Sequence, residues 1–260
     1  MSWQYAIEFS ALLQLRAVLR QNAIFSPERG MSMHKLPLLD FYPLSEGEHH
    51  PREVALHAQR VKLGFPVASL RPRLVANDAV EFANHAASTR GADGNIFTSE
   101  LERKLNTGVY RSWLSGMPTL STSPQIEKYR DCKHDAESLD LELASLPTLC
   151  AGQKLFHGGH WPGKLQVGAT IGVDRAFSTT LNAYRAAWFS DEAQRKNGGE
   201  FHLWLITISS LFNNPVYVYS TFSNRRTGHE MEILIRRGFK AVLTAIDVGL
   251  GYKILHVEFS

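Results

Sequence analysis

The chain of 260 residues holds only two cysteines, Cys132 and Cys150. So few exclude a disulfide framework and suit a reducing compartment, with one bridge at most available. No uninterrupted apolar run approaches the roughly 18 residues that a membrane span requires. The stretch Met1 to Ile24 carries Glu8 and Arg16 inside its apolar pattern, which is not how a secretory signal peptide is built. Charge of one sign is scarce too: the formal net charge is +3 and the pI about 8.8. That permits a nucleic-acid partner without demanding one. Zinc-like spacing is missing, because His49-His50 and His157/His160 have no further ligands close by, so no metal is expected. The expectation is a soluble protein with no membrane partner, cytoplasmic or delivered into a target cell without a cleaved signal.

What is present can build a core, with 44% hydrophobic and 10% aromatic residues. Residues 3 to 24 place Tyr5, Phe9, Leu12, Leu13 and Leu19 on one face of an amphipathic helix. That helix either packs on the rest of the protein or binds a partner such as a chaperone or antitoxin. From 26 to 75 a proline falls about every ten residues, so only short elements fit, with at most one helix near Arg52 to Leu63. This stretch reads as a wrapped or partly ordered connector. Residues 1–75 are taken as an N-terminal extension, 76–150 as a helical lobe and 151–260 as a β-rich core.

In the lobe, Asn77 or Asp78 caps a helix to about Ser88, and Thr98 or Ser99 caps another to about Leu105, where Ser99 to Glu102 approximates a capping box. Val109 to Leu114 extends it, and Ile126 to Leu146 reads as one more helical pattern. Beyond Gly152 short strands take over: 154–157, 176–180, 201–209, 216–220, 231–235, 241–247 and 253–259, interrupted by a helical insertion from Leu181. Helices followed by a mostly antiparallel sheet make an α+β fold.

Chemistry gathers on three of these strands. Leu155-Phe156-His157-Gly158-Gly159 ends a strand in a basic side chain followed by glycines. Phe177-Ser178-Thr179-Thr180 carries a run of hydroxyls. Glu230-Met231-Glu232 opens a strand, and in an extended conformation its two carboxylates share a face. Singly, each has a bland reading: a structural histidine, an ordinary hydroxyl strand, a solvated edge pair.

In this order the three motifs resemble the mono-ADP-ribosyltransferases. Residues 150–260 carry the resemblance, and 228–238 look much like the family's third motif. It implies a split antiparallel β-sheet preceded by a helical lobe, with NAD as co-substrate. One departure stands out. The arginine-modifying branch has Arg where this chain has His157, whereas the branch with diphtheria toxin has His but a tyrosine where this chain has Ser178. The set here is a hybrid, His-Ser-Glu.

The resemblance implies Glu232 as the catalytic glutamate, Glu230 as the residue that orients or deprotonates the acceptor, and Ser178 as the group fixing Glu232. It implies that His157, Gly158, Ser178 and Thr179 bind NAD, with Arg185 reaching its phosphates and Trp161 lining the nicotinamide pocket or closing its loop. In the insertion, an aromatic face packed on the sheet is the expectation for Trp188 and Phe189. The acceptor would meet Tyr219, Phe222, Arg225 and Arg226 in the loop from Ser220 to His229 and at its edge. The expected activity transfers ADP-ribose to a macromolecule, protein arginine first and a nucleic-acid base second, in the manner of bacterial or phage toxins and effectors. The alternatives are an NAD glycohydrolase and an inactive NAD- or partner-binding module.

Overall fold

A computed structural model describes residues 34–48, 51–67, 70, 73–92, 96–220 and 231–260. The amphipathic helix expected over 3–24, His49-His50, and the site residues Phe222, Arg225, Arg226 and Glu230 lie outside them.

The proline-rich stretch forms β1 (Lys35–Leu36), β2 (Leu44–Ser45), the helix α1 (Pro51–Lys62) and β3 (Val75–Ala76). Its residues Leu36, Leu39, Phe41 and Leu44 are buried in the core. Two polar side chains tie it down: Gln153 Oε1 accepts from the Leu39 N–H at 2.9 Å, and Trp113 Nε1 donates to the Pro37 carbonyl at 2.9 Å.

The lobe holds α2 (Ala79–Ser88), α3 (Thr98–Leu105), α4 (Gly108–Ser115), α5 (Pro124–Tyr129) and α6 (Ala136–Ala144). Asp78 caps α2 as its sequence suggests, accepting from the N–H groups of Val80 and Glu81. The capping box does not form, because Phe97 occupies the N-cap of α3 with no side-chain bond. The pattern from Ile126 to Leu146 is not one helix. It breaks after Tyr129, turns with Cys132 at φ 55°, and resumes under an Asp135 cap.

The β-rich part contains β4 (Thr148–Leu149), β5 (Lys154–Gly158), β6 (Thr170–Val173) and β7 (Phe177–Thr180). After α7 (Ala183–Asn197) follow β8 (His202–Ile208), β9 (Val216–Val218), β10 (Glu232–Ile235), β11 (Phe239–Gly249) and β12 (Tyr252–Phe259). Eight strands form one sheet in the order β6-β11-β12-β8-β5-β7-β10-β9, antiparallel except between β12 and β8. The fold is α+β, and the sheet is split. Between β5 and β7 a single register pair remains, Phe156 with Thr180, whereas β5 pairs with β8 along its whole length. β6 was not anticipated, since Thr170-Ile171-Gly172-Val173 is too short and mixed to register as a strand.

Helix α7 covers β5. It buries Tyr184 together with Ala183, Ala186 and Ala187, and the three alanines are small enough to let the helix come close. A Cβ on Gly158 would lie 1.9 Å from the Ala186 carbonyl oxygen, so this glycine is required by the helix behind it. Helices α5 and α6 cover β9 and β10 through Ile126, Leu139, Leu143, Tyr217, Tyr219 and Leu234. Among the described residues no helix is long and apolar enough to cross a membrane.

Candidate active site

The site forms where the sheet splits. In the β7–β10 register Ser178 faces Leu234 and Thr180 faces Glu232. Side chains alternate along a strand, so Ser178 lies diagonal to Glu232 on one face. Ser178 Oγ donates to Glu232 Oε1 at 2.6 Å. The neighbouring hydroxyls serve the backbone instead: Thr179 donates to the Ile233 carbonyl at 2.9 Å, and Thr180 accepts from the Asn182 N–H at 3.0 Å. Ser178 is the one whose bond to the carboxylate is seen among the described contacts.

His157 bridges the split. Its Nδ1 lies 2.8 Å from the Ser178 carbonyl oxygen, which can only accept, so Nδ1 carries the proton and Nε2 is the acceptor. Phe177 and Trp204 enclose the ring at 4.3 and 5.2 Å between centroids. Burial pushes its pKa down to about 4, so it is neutral at pH 7.

Glu232 opens β10 directly after Met231, which sits at φ 49°. A non-glycine residue there is strained and is held by its surroundings; Met231 is buried, and its carbonyl accepts from the Leu181 N–H. Glu230, and with it the expected shared face of the two carboxylates, lies outside the described residues.

Two cavities meet at these residues, of about 660 and 420 Å³. His157, Ser178, Phe189 and Glu232 line both. Tyr129, Arg130, Arg175 and Phe177 line the larger; Gly158, Thr179, Arg185 and Lys196 line the smaller. Arg175 is exposed at its mouth. Burial and the nearby Glu232 charge push the Tyr129 phenol up to about 12.

Arg185 lines the smaller cavity with its guanidinium over Trp188 and Phe189, at 4.6 and 5.1 Å from the ring centroids. Those two aromatics do not pack on the sheet. Both are about two-fifths exposed, because α7 presents its alanines to β5 instead. Trp161 lines neither cavity; it is buried against Trp204 at 5.0 Å, where it closes the loop after the glycines. Tyr219 is likewise buried, its hydroxyl donating to the Ile126 carbonyl at 2.8 Å, so its ring is not offered to an acceptor.

Sequence reasoning missed Arg130. Its Nε donates to Glu232 Oε2 at 2.9 Å, and its guanidinium lies 3.9 Å over the Tyr219 ring. The visible signal was a basic residue at the end of a helical pattern, and reading that pattern through to Leu146 hid it.

No family model matches the chain, and no curated protein matches it significantly. In structure it is similar to ADP-ribosyltransferases. The Vis toxin of Vibrio splendidus, in a complex with agmatine, is 15% identical over 83% of this chain and 88% of that one, at a TM-score of 0.37. Plx2a, a toxin of Paenibacillus larvae, is 13% identical over 62% and 93%, at 0.38. The catalytic domain of VahC from Aeromonas hydrophila is 12% identical over 68% and 99%, at 0.30. At TM-scores below 0.5 these likenesses carry no weight for activity.

Proposed function

We propose that this chain is an NAD-dependent mono-ADP-ribosyltransferase that places ADP-ribose on a macromolecule and releases nicotinamide. The observation that carries the reading is the Ser178–Glu232 bond at the junction of two cavities, beside a neutral His157. Both cavities fall in the size range of small-ligand sites, and their lining suits a dinucleotide. Arg185, Lys196 and Arg175 offer cations to phosphates, while Phe177, Phe189 and Tyr129 offer ring faces. NAD supplies a ribose whose bond to nicotinamide breaks with positive charge developing on the sugar.

The chain's own residues meet that demand in order. Glu232 puts a carboxylate where the charge develops, as in glycoside hydrolysis. Ser178 sets its angle. His157 accepts a ribose hydroxyl at Nε2, and being neutral it adds no opposing charge. A Cβ on Gly159 would lie 3.0 Å from that nitrogen, so the glycine leaves it open. Glu230 would take the proton of the acceptor. Protein arginine is the first acceptor, since the paired glutamates go with arginine in the family, and a nucleic-acid base the second. A toxin or effector role belongs to the same proposal.

The test is labelled NAD offered to the full chain with cell lysate or total RNA, beside Glu232→Gln. Label on protein that vanishes in the variant supports the first acceptor, and label on RNA the second. Nicotinamide release that needs no macromolecule makes water the acceptor and the chain a glycohydrolase.

A further inference from the structure

We infer that Arg130 is a positioning residue for Glu232, an inference that rests on the catalytic reading of that carboxylate. Arg130 stands directly after α5, where the chain turns away through Asp131 and Cys132. It donates to Oε2 while Ser178 donates to Oε1, so donors from two different elements fix the plane of the carboxylate.

The guanidinium is itself held. It stacks on Tyr219, whose hydroxyl bonds the Ile126 carbonyl in α5 and whose N–H bonds the Glu232 carbonyl at 3.0 Å. Tyr219 thus ties helix, arginine and the Glu232 backbone into one unit, and the Tyr110 hydroxyl donates to the Tyr219 carbonyl at 3.4 Å.

The pair is enclosed, with side chains 14% exposed for Arg130 and 9% for Glu232. An enclosed carboxylate is favoured by a cation at hydrogen-bond distance, and Arg130 stands at that distance and aims Glu232. Two other roles for the same contact have opposite signatures. A brake that neutralises Glu232 until it swings away would raise kcat when removed. A phosphate clamp would raise KM for NAD.

The experiment is steady-state nicotinamide release by the full chain and by Arg130→Gln, Arg130→Lys and Tyr219→Leu, with Glu232→Gln as background and a thermal melt of each. Misplacing a catalytic group by about 1 Å can cost roughly 100-fold, so Arg130→Gln is expected to lower kcat by roughly 10- to 100-fold. KM for NAD should stay within about threefold, the signature of a contact used in the reacting state. Arg130→Lys restores part of the loss, and Tyr219→Leu falls between wild type and Arg130→Gln. An unchanged or raised kcat, a loss confined to KM, or no relief by lysine overturns the assignment. Should Arg130→Gln melt below the assay temperature, the lysine and Tyr219 variants read the same direction. Wild-type release no greater than that of Glu232→Gln sinks the catalytic reading itself. An unaffected Arg130→Gln beside an active wild type sinks only the positioning role.

Discussion

Strand β5 has two edges that the molecule treats differently. Toward β8 it keeps a full ladder, Lys154 to Gly158 against Thr207 to Leu203. Toward β7 it keeps one pair, and beyond it the His157 ring donates to the Ser178 carbonyl. The closed edge builds stability through backbone bonds. The open edge gives up ladder bonds, recovers part of their satisfaction with a side chain, and gains a cleft. Every group argued to act on the ribose lies at the open edge.

The largest expected effect tests the helix packed on the face of β5, behind both edges. Gly158→Ala would drive a Cβ into the backbone of α7, where no flexible side chain can yield. Overpacking of this kind is expected to cost about 3 kcal/mol, or a fall of about 10 °C in Tm. A wild-type melt would show that the helix is not seated so closely.

The next effect belongs to the bridge. The pKa of His157 is lowered to about 4 in the folded chain, against about 6.5 when unfolded. Between those values the unfolded chain holds a proton that the folded chain refuses, so stability rises with pH through this window and is complete above it. His157→Asn should remove on the order of 2 kcal/mol of that slope, read as urea midpoints at pH 4.5 and 7. Burial lowers the His202 pKa as well, with a slope of the same sign, so the difference between variant and wild type is the quantity to compare. Equal slopes would mean that the ring is not buried as described.

The smallest effect on stability is that of Ser178→Ala. It removes one donor from a buried carboxylate that keeps Arg130, and about 1 kcal/mol is expected. Its effect on nicotinamide release should be larger in proportion, roughly tenfold, because the lost bond sets an angle. A loss of stability without loss of rate would make Ser178 a structural group.

Much of the open edge was legible in the sequence. His157, Ser178 and Glu232 each lie on a strand with a clear local pattern, and their order along the chain was enough to group them. The Asp78 cap, the start of α7 and most strands were readable for the same reason, as local chemistry acting over a few residues. What was not legible is nonlocal or breaks a local rule. The Arg130–Glu232 bond spans 102 residues, and no periodicity records such a partner. The turn after Tyr129 interrupts a helical pattern that reads as continuous. Met231 places a left-handed residue at the start of a strand, where alternation predicts an extended one. Phe189 faces the cavities because alanines, not aromatics, are what α7 turns to the sheet. Each of these departures lies at or beside the site, where local preference yields to the demands of a cleft.

The central claim is that Glu232, fixed at the split in the sheet, cleaves the bond between nicotinamide and ribose. The most direct measurement is nicotinamide release from NAD at pH 7 by the full chain beside Glu232→Gln, with matched melting curves. The account predicts release by the wild type and a fall of about 100-fold or more in the variant. Equal release by two equally folded proteins would contradict it.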